Sequence, residues 1–250
     1  MQPAPLPEAM SDELYARDVV LLAFASLAEL RESDTESHLL RVQGYVQALT
    51  RHLQAQAIFS DQLTPALAEQ MWRSVVLYDI GTVAIPERIL LKPGRLSADE
   101  QAIMRTPTSL GFAAIVRAEK ALGRSSSLLT VAKELTLSHH EKWDGSGYPQ
   151  GLAGTQIPLS ARIVALADVY DALITHKVYK DGISHEHAVR LIAGERGAHF
   201  DPQVVDAFIA IQDEFAAIAQ RFADTEEDMQ QKMEYMANAI AEHAEPAAPL

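Results

Sequence analysis

The sequence predicts an all-α protein. Three observations carry that expectation: strong periodic segments repeat every three to four residues, no alternating strand pattern occurs, and helix caps precede the apolar runs. With 250 residues, 48% hydrophobic and 22% charged, the chain has ample material for a packed core.

Residues 1–10 carry Pro3, Pro5 and Pro7 and read as a disordered tail. Ser11 is placed to cap a helix running to about Arg31. Asp34 opens a second, in which Leu39, Val42, Tyr45, Val46, Leu49 and Leu53 share one face. Thr64-Pro65 joins an N-cap to a proline at the first helical position, for a helix ending near Tyr78-Asp79. Ser97 and Glu100 form a capping box, and Pro107 interrupts the segment they open before it resumes near Ser109. A helix from about Leu128 delivers His139 and His140 at its C-terminal end. Pro158 opens one that carries Arg162, Asp168 and Asp171, and Ser184 and Asp201-Pro202 start two more. Thr225 caps a terminal helix whose Met229, Met233, Met236 and Ile240 follow a four-three-four spacing. That stripe fits a coiled-coil seam between two copies, or, as the preferred reading, packing back on the domain. The expected organisation is a tail at 1–10, a helical domain at 11–222, and a C-terminal helix and tail at 223–250.

The absence of cysteine excludes disulfides, thiolate metal sites and a cysteine nucleophile. A formal charge of −13 argues against nucleic-acid polymers, and an anionic substrate would need a local cation cluster. The most apolar run, Val19 to Leu27, is too short to span a bilayer, and the N-terminus lacks the positive charge of a signal peptide. A cytoplasmic protein is expected.

The most informative stretch is HHEKWDGSGYP, residues 139–149. Adjacent histidines on a helix point about 100° apart, so both reach one metal centre only at a helix end, which the glycine-rich loop supplies. Asp168 lies within the apolar run Ile163 to Ala167 and its sequel, where a carboxylate needs a cation. Taken singly, His38 would be a hydrogen-bonded boundary residue and Asp34 an N-cap. The stretch, with GLAGTQIPLSARIVALADVYDAL after it, resembles the HD-GYP family of metal-dependent phosphodiesterases, from about Leu27 to Phe208.

The resemblance implies an HD-domain-like helical bundle with additional C-terminal helices. It implies metal ligands at Asp34, His38, Asp79, His139, His140 and Asp168, holding two divalent transition metals. Iron or manganese is favoured, with nickel or zinc next. Asp79 and Asp171 take catalytic roles, Asp79 bridging metals and Asp171 orienting a ligand histidine or the nucleophilic water. Gly145, Gly147, Tyr148, Lys177 and Lys180 border the substrate. His176, His185, His187, His199 and His243 match no ligand and are expected at the surface.

Asp34 stands where the family more often has Glu and Lys177 where it usually has Arg, and three positions depart further. Tyr78 stands in place of the first-motif histidine, Thr82 in place of its lysine, and Pro107 in place of a later histidine. The implied activity is hydrolysis of cyclic di-GMP to the linear dinucleotide and on to GMP, with reduced turnover. The alternative is a catalytically silent module that binds cyclic di-GMP or, through the GYP loop, a protein partner. A generic HD-domain nucleotide hydrolase comes third. A homodimer through the C-terminal helix is a further expectation.

Overall fold

The computed structural model describes residues 8–29, 31, 37–92, 94–175 and 182–244, and among these the regular elements are all helical. Asp34, Lys177, Lys180 and His176 lie outside the described residues.

Helix α1 (Glu8–Glu29) begins earlier than the expected Ser11 cap. It buries Ala25 and Ala28, while Val20, Phe24 and Leu27 point outward. Helix α2 (Ser37–Ala55) lies at the centre and packs on α3 (Pro65–Ser74) and on α8 (Leu159–Ile174). The Thr64 hydroxyl accepts from the Leu67 amide, as its cap position requires. Helix α8 buries nearly every residue from Leu159 to Ala167, and an apolar run without a polar face can sit only in the interior. Tyr45 of α2 stacks on Phe215 at 4.5 Å and meets Tyr170 of α8 edge-on at 5.2 Å.

The run expected to end near Tyr78 stops at Ser74 and tightens into a 3₁₀ turn, Val75–Leu77. A second 3₁₀ turn, Ile80–Ala84, follows after Asp79, and then the short α4 (Glu87–Leu90). The tightening lets Gly81 lie against Pro107, where a Cβ would come 2.0 Å from the proline carbonyl oxygen. Helix α5 (Ala98–Met104) has the expected Ser97–Glu100 capping box. Pro107 does not interrupt a helix: it opens α6 (Pro107–Leu122), the position where its missing N–H costs nothing.

Helix α7 (Ser127–Ser138) ends with His139 as its C-cap. Helices α9 (His185–Gly194), α10 (Pro202–Ala210) and α11 (Gln212–Arg221) complete the domain, the last two separated by a break at Ile211 that the sequence pattern did not reveal. In α12 (Glu226–Ala244), Tyr235 packs on Leu90 and Leu91 and its hydroxyl donates to Glu87 at 3.4 Å. That face packs back on the domain, while Met229 and Met233 line a groove of about 660 Å³ beside Ile174. No described helix is long and apolar enough to cross a membrane.

Two buried carboxylates fix the local geometry. Asp171 of α8 accepts from Arg41 Nε at 2.7 Å, Arg41 Nη2 at 3.0 Å and Tyr45 Oη at 3.1 Å, tying α8 to α2. Glu141 accepts from the Gln150 amide at 2.7 Å and the Leu152 amide at 3.0 Å, pinning the loop back on the end of α7. Gly147 permits that closure, since a Cβ there would lie 2.3 Å from the Lys142 nitrogen.

Asp171→Ala takes from the buried Arg41 its bidentate carboxylate, leaving Asp224 as its acidic partner, and takes from His38 its anchor; it is expected to cost about 3–5 kcal/mol in urea unfolding. Glu141→Gln sets an amide N–H against a backbone N–H and is expected to cost about 1–3 kcal/mol. Its thermal midpoint should fall by several degrees, with loop amides exchanging faster by hydrogen–deuterium mass spectrometry.

Candidate metal centre

Helix α2 presents His38 in its first turn, buried at 5% exposure. Its Nδ1 lies 2.8 Å from Asp171 Oδ2 and its Nε2 lies 2.7 Å from the Tyr78 hydroxyl. Asp171 is a hydrogen-bond acceptor here, so His38 Nδ1 donates, which fixes the ring. The Tyr78 hydroxyl gives its single proton to Asp168 Oδ1 at 2.6 Å, so His38 Nε2 donates to the phenol oxygen and both ring nitrogens of His38 carry protons. His38 and Asp168 therefore meet through a phenol, with Nε2 and Oδ1 3.9 Å apart. Asp171 is 1% exposed and does not reach the cavity. Of its two expected roles, orienting a ligand histidine fits this geometry and contact with the nucleophilic water does not. Burial tends to raise the Asp171 carboxyl, but His38 and Arg41 hold it down at about 2.

The second cluster is built from Asp79, His139 and His140, whose ligand atoms lie within 4.8 Å of one another. Asp79 sits between the two 3₁₀ turns, which aims its carboxylate at the end of α7. His139 Nδ1 donates to the Leu135 carbonyl at 2.8 Å, one turn back along α7. In the neutral ring Nε2 is then a lone pair; it is buried, has no hydrogen-bond partner, and lies 3.4 Å from Asp79 Oδ1. A backbone carbonyl holding one nitrogen while the other faces a carboxylate is the arrangement of a metal-ligating histidine.

The electrostatics agree. Burial would raise Asp79, but the charges of His139, His140 and His38 outweigh it and hold the carboxyl below the usual range. Burial would lower His139, but Asp79 outweighs it and the shift is upward, because the carboxylate favours positive charge at Nε2, whether from a proton or from a metal ion. Burial and the neighbouring His139 push His140 down to about 3, so its ring stays neutral with a lone pair for a cation. An orphaned nitrogen, a neutral imidazole and an ionised carboxylate at short range fit a divalent transition metal.

A cavity of about 230 Å³ opens on this cluster, lined by Asp79, His140, Tyr148, Thr82, Pro107 and Met104 among others. Two of the three departures from the family pattern, Thr82 and Pro107, thus face the cavity, and the third, Tyr78, lies beneath it at 1% exposure. Tyr148 stacks on His140 at 4.8 Å. Gly145 and Gly147, expected at the substrate, do not line this cavity. Gly145 adopts φ +84° at the loop's turn, and Gly147 serves the close approach described above.

His187 is exposed as expected. His185 is instead half-buried 2.8 Å from the Tyr170 hydroxyl, and His199 is half-buried against Phe200, where desolvation lowers it to about 4. Sequence reasoning missed three residues. Arg41 lies three positions after His38, a spacing that already puts it on the same helix face. Glu141 was inside the recognised motif, adjacent to the histidines. Arg105, whose guanidinium lies 5.1 Å from the Tyr148 ring, comes from a separate element and gave no local signal.

Residues 25–204 match the HD domain family. A Vibrio cholerae protein described as a probable cyclic di-GMP phosphodiesterase is 51% identical over 213 residues, covering 85% of this chain and 48% of the relative. A second from that organism, described as a cyclic di-GMP phosphodiesterase, is 48% identical over 218 residues, covering 87% of this chain and 44% of the relative. The chain spans about half the length of these curated relatives. The crystal structure of a cyclic GMP-AMP-specific phosphodiesterase from V. cholerae shares the fold, with a TM-score of 0.52 at 17% identity, covering 89% of this chain and 59% of that one. With the histidine pair, the GYP loop and this match in hand, the chain belongs to the HD-domain family, in its HD-GYP branch.

Proposed function

We propose that the chain is the hydrolytic module of a cyclic di-GMP phosphodiesterase, opening the cyclic dinucleotide to its linear form and carrying it on to GMP, with reduced turnover. One observation carries this reading: the buried His139 Nε2, without a hydrogen-bond partner, beside Asp79 and a neutral His140. A divalent transition ion held by these residues would polarise a phosphoryl oxygen and activate water near neutral pH. Iron or manganese suits the imidazole–carboxylate set, with nickel or zinc next.

The protein groups around that ion have separable tasks. Asp79, kept ionised by its histidine neighbours, holds a carboxylate in the cavity that can accept a proton from the attacking water. Tyr148, stacked on His140, gives the cavity an aromatic wall against which a guanine base can pack. Arg105 supplies the cation for substrate phosphate that Thr82 does not. The names of the two V. cholerae relatives support cyclic di-GMP as substrate.

The rival reading, binding without turnover, draws on the neutral residues Thr82 and Pro107 in the cavity wall. Chromatography of cyclic di-GMP incubated with metal-loaded protein separates the two. Linear dinucleotide should form first and GMP after it, and Asp79→Asn or His139→Ala should slow the first step about 100-fold. Calorimetric binding with no product from the natural protein would replace the enzyme by the silent binder.

The cation balance yields a second expectation. Arg105→Ala should raise KM about tenfold or more, the scale of a charged hydrogen bond, with kcat nearly unchanged. Thr82→Lys should lower KM. Steady-state kinetics on both variants checks the pair, and a fall in kcat alone for Arg105→Ala would remove Arg105 from substrate binding.

A further inference from the structure

His38 and His139 are built alike. Each has Nδ1 anchored, His38 on the Asp171 carboxylate and His139 on the Leu135 carbonyl, both at 2.8 Å. Each presents Nε2 inward towards an aspartate. They differ in what Nε2 meets. That of His139 has no hydrogen-bond partner, whereas that of His38 points at the Tyr78 hydroxyl 2.7 Å away. The same hydroxyl satisfies Asp168 at 2.6 Å.

We propose that this chain holds a single metal ion, at Asp79, His139 and His140, because the Tyr78 hydroxyl fills the place of a second ion between His38 and Asp168. The proposal rests on the metal-dependent reading above and specifies its stoichiometry.

An imidazole nitrogen coordinates through its in-plane lone pair, with a metal–nitrogen bond of about 2.0–2.1 Å. The phenol oxygen takes that direction at His38 and simultaneously engages the facing oxygen of Asp168. An ion there must displace it. Tyr78 has nowhere to go: its ring is buried and packs edge-on against His139 at 4.9 Å. Moving it would empty core volume and disturb the other cluster at once. The Asp79 cluster has no such occupant, and its orphaned nitrogen is the kind of group that an ion satisfies. His38 and Asp168 thus become a wall that positions Tyr78 and, through it, the His139 ring.

Elemental analysis of the natural protein, saturated with manganese or iron and freed of excess ion, reads the count directly. One ion per chain is expected. Asp168→Asn should keep that ion, His140→Ala should lose it, and Tyr78→His should raise the count to two. Anomalous diffraction at the metal edge should place the natural protein's ion against His139 and His140. Two ions in the natural protein, none at all, loss of the ion in Asp168→Asn, or an ion located between His38 and Asp168 would each overturn the proposal. Activity is scored apart. One ion without cyclic di-GMP hydrolysis removes the enzyme reading and leaves this inference standing, whereas two ions with brisk hydrolysis do the reverse.

Discussion

A carboxylate removed from water must be neutralised where it sits, and the structure is arranged around one such group, Asp171. Besides Thr175, one turn further along its own helix, its partners come from α2: His38, Arg41 and Tyr45 recur at three- and four-residue intervals, so all three turn the same face to α8. Only one register of α2 on α8 satisfies them together. Arg41 then extends the network to the Phe222 carbonyl at 3.0 Å and Asp224 at 3.1 Å, which fixes the chain where it leaves α11. Burial works against the charge of Arg41, but Asp171 and Asp224 outweigh it and hold the guanidinium firmly protonated. The position of His38 is therefore set by the core, before any ligand is considered.

From that fixed point the site divides in two. The path from Asp171 through His38 and Tyr78 to Asp168 is closed, with each polar atom on it engaged by the next. The path from Leu135 through His139 ends on an open nitrogen. The two sides remain in contact, because the Tyr78 ring touches His139 and the charge of His38 is felt at Asp79. Tyr78, where the resemblance implies a first-motif histidine, thus leaves no void. A residue of larger volume bears a hydroxyl at the right height to satisfy the groups that the imidazole would have served alongside.

Much of this was legible in the sequence because it depends on local chemistry. The caps at Thr64, Ser97, Ser184 and Asp201 read correctly, since each is a side chain bonding its own backbone. The convergence of His139, His140 and Asp79 followed from the motif. Other features were illegible because they depend on distant partners. Tyr78 could be read as a missing ligand but not as a bridge, since its two partners lie 40 and 90 residues away. Pro107 read as a helix interruption until its packing against Gly81 made it a helix start. Asp171 reads as a residue near the chemistry, and only its burial among Arg41, Tyr45 and Thr175 places it behind His38, the ring it orients. Asp34, Lys177 and Lys180 lie outside the described residues.

Charge explains why the arrangement needs cations from two sources. The chain carries a formal −13, and the cavity itself is floored by a carboxylate, so a phosphodiester meets a repulsive field. Asp79 is held ionised by the histidines, whereas burial and the charge of Asp79 push Asp168 up, and His38 and the Tyr78 hydroxyl only partly offset them. The two aspartates are pushed apart, and negative charge concentrates on Asp79, beside the unsatisfied nitrogen of His139. A single divalent ion there neutralises the carboxylate with charge to spare for one phosphate oxygen. The rest of the substrate's charge falls to the protein. Thr82 and Pro107 contribute none, so the proposed function assigns it to Arg105, whose guanidinium lies over the Tyr148 ring. On the proposed function, a site with Tyr78, Thr82 and Pro107 where the resemblance implies two histidines and a lysine binds its anion only when the ion and Arg105 act together.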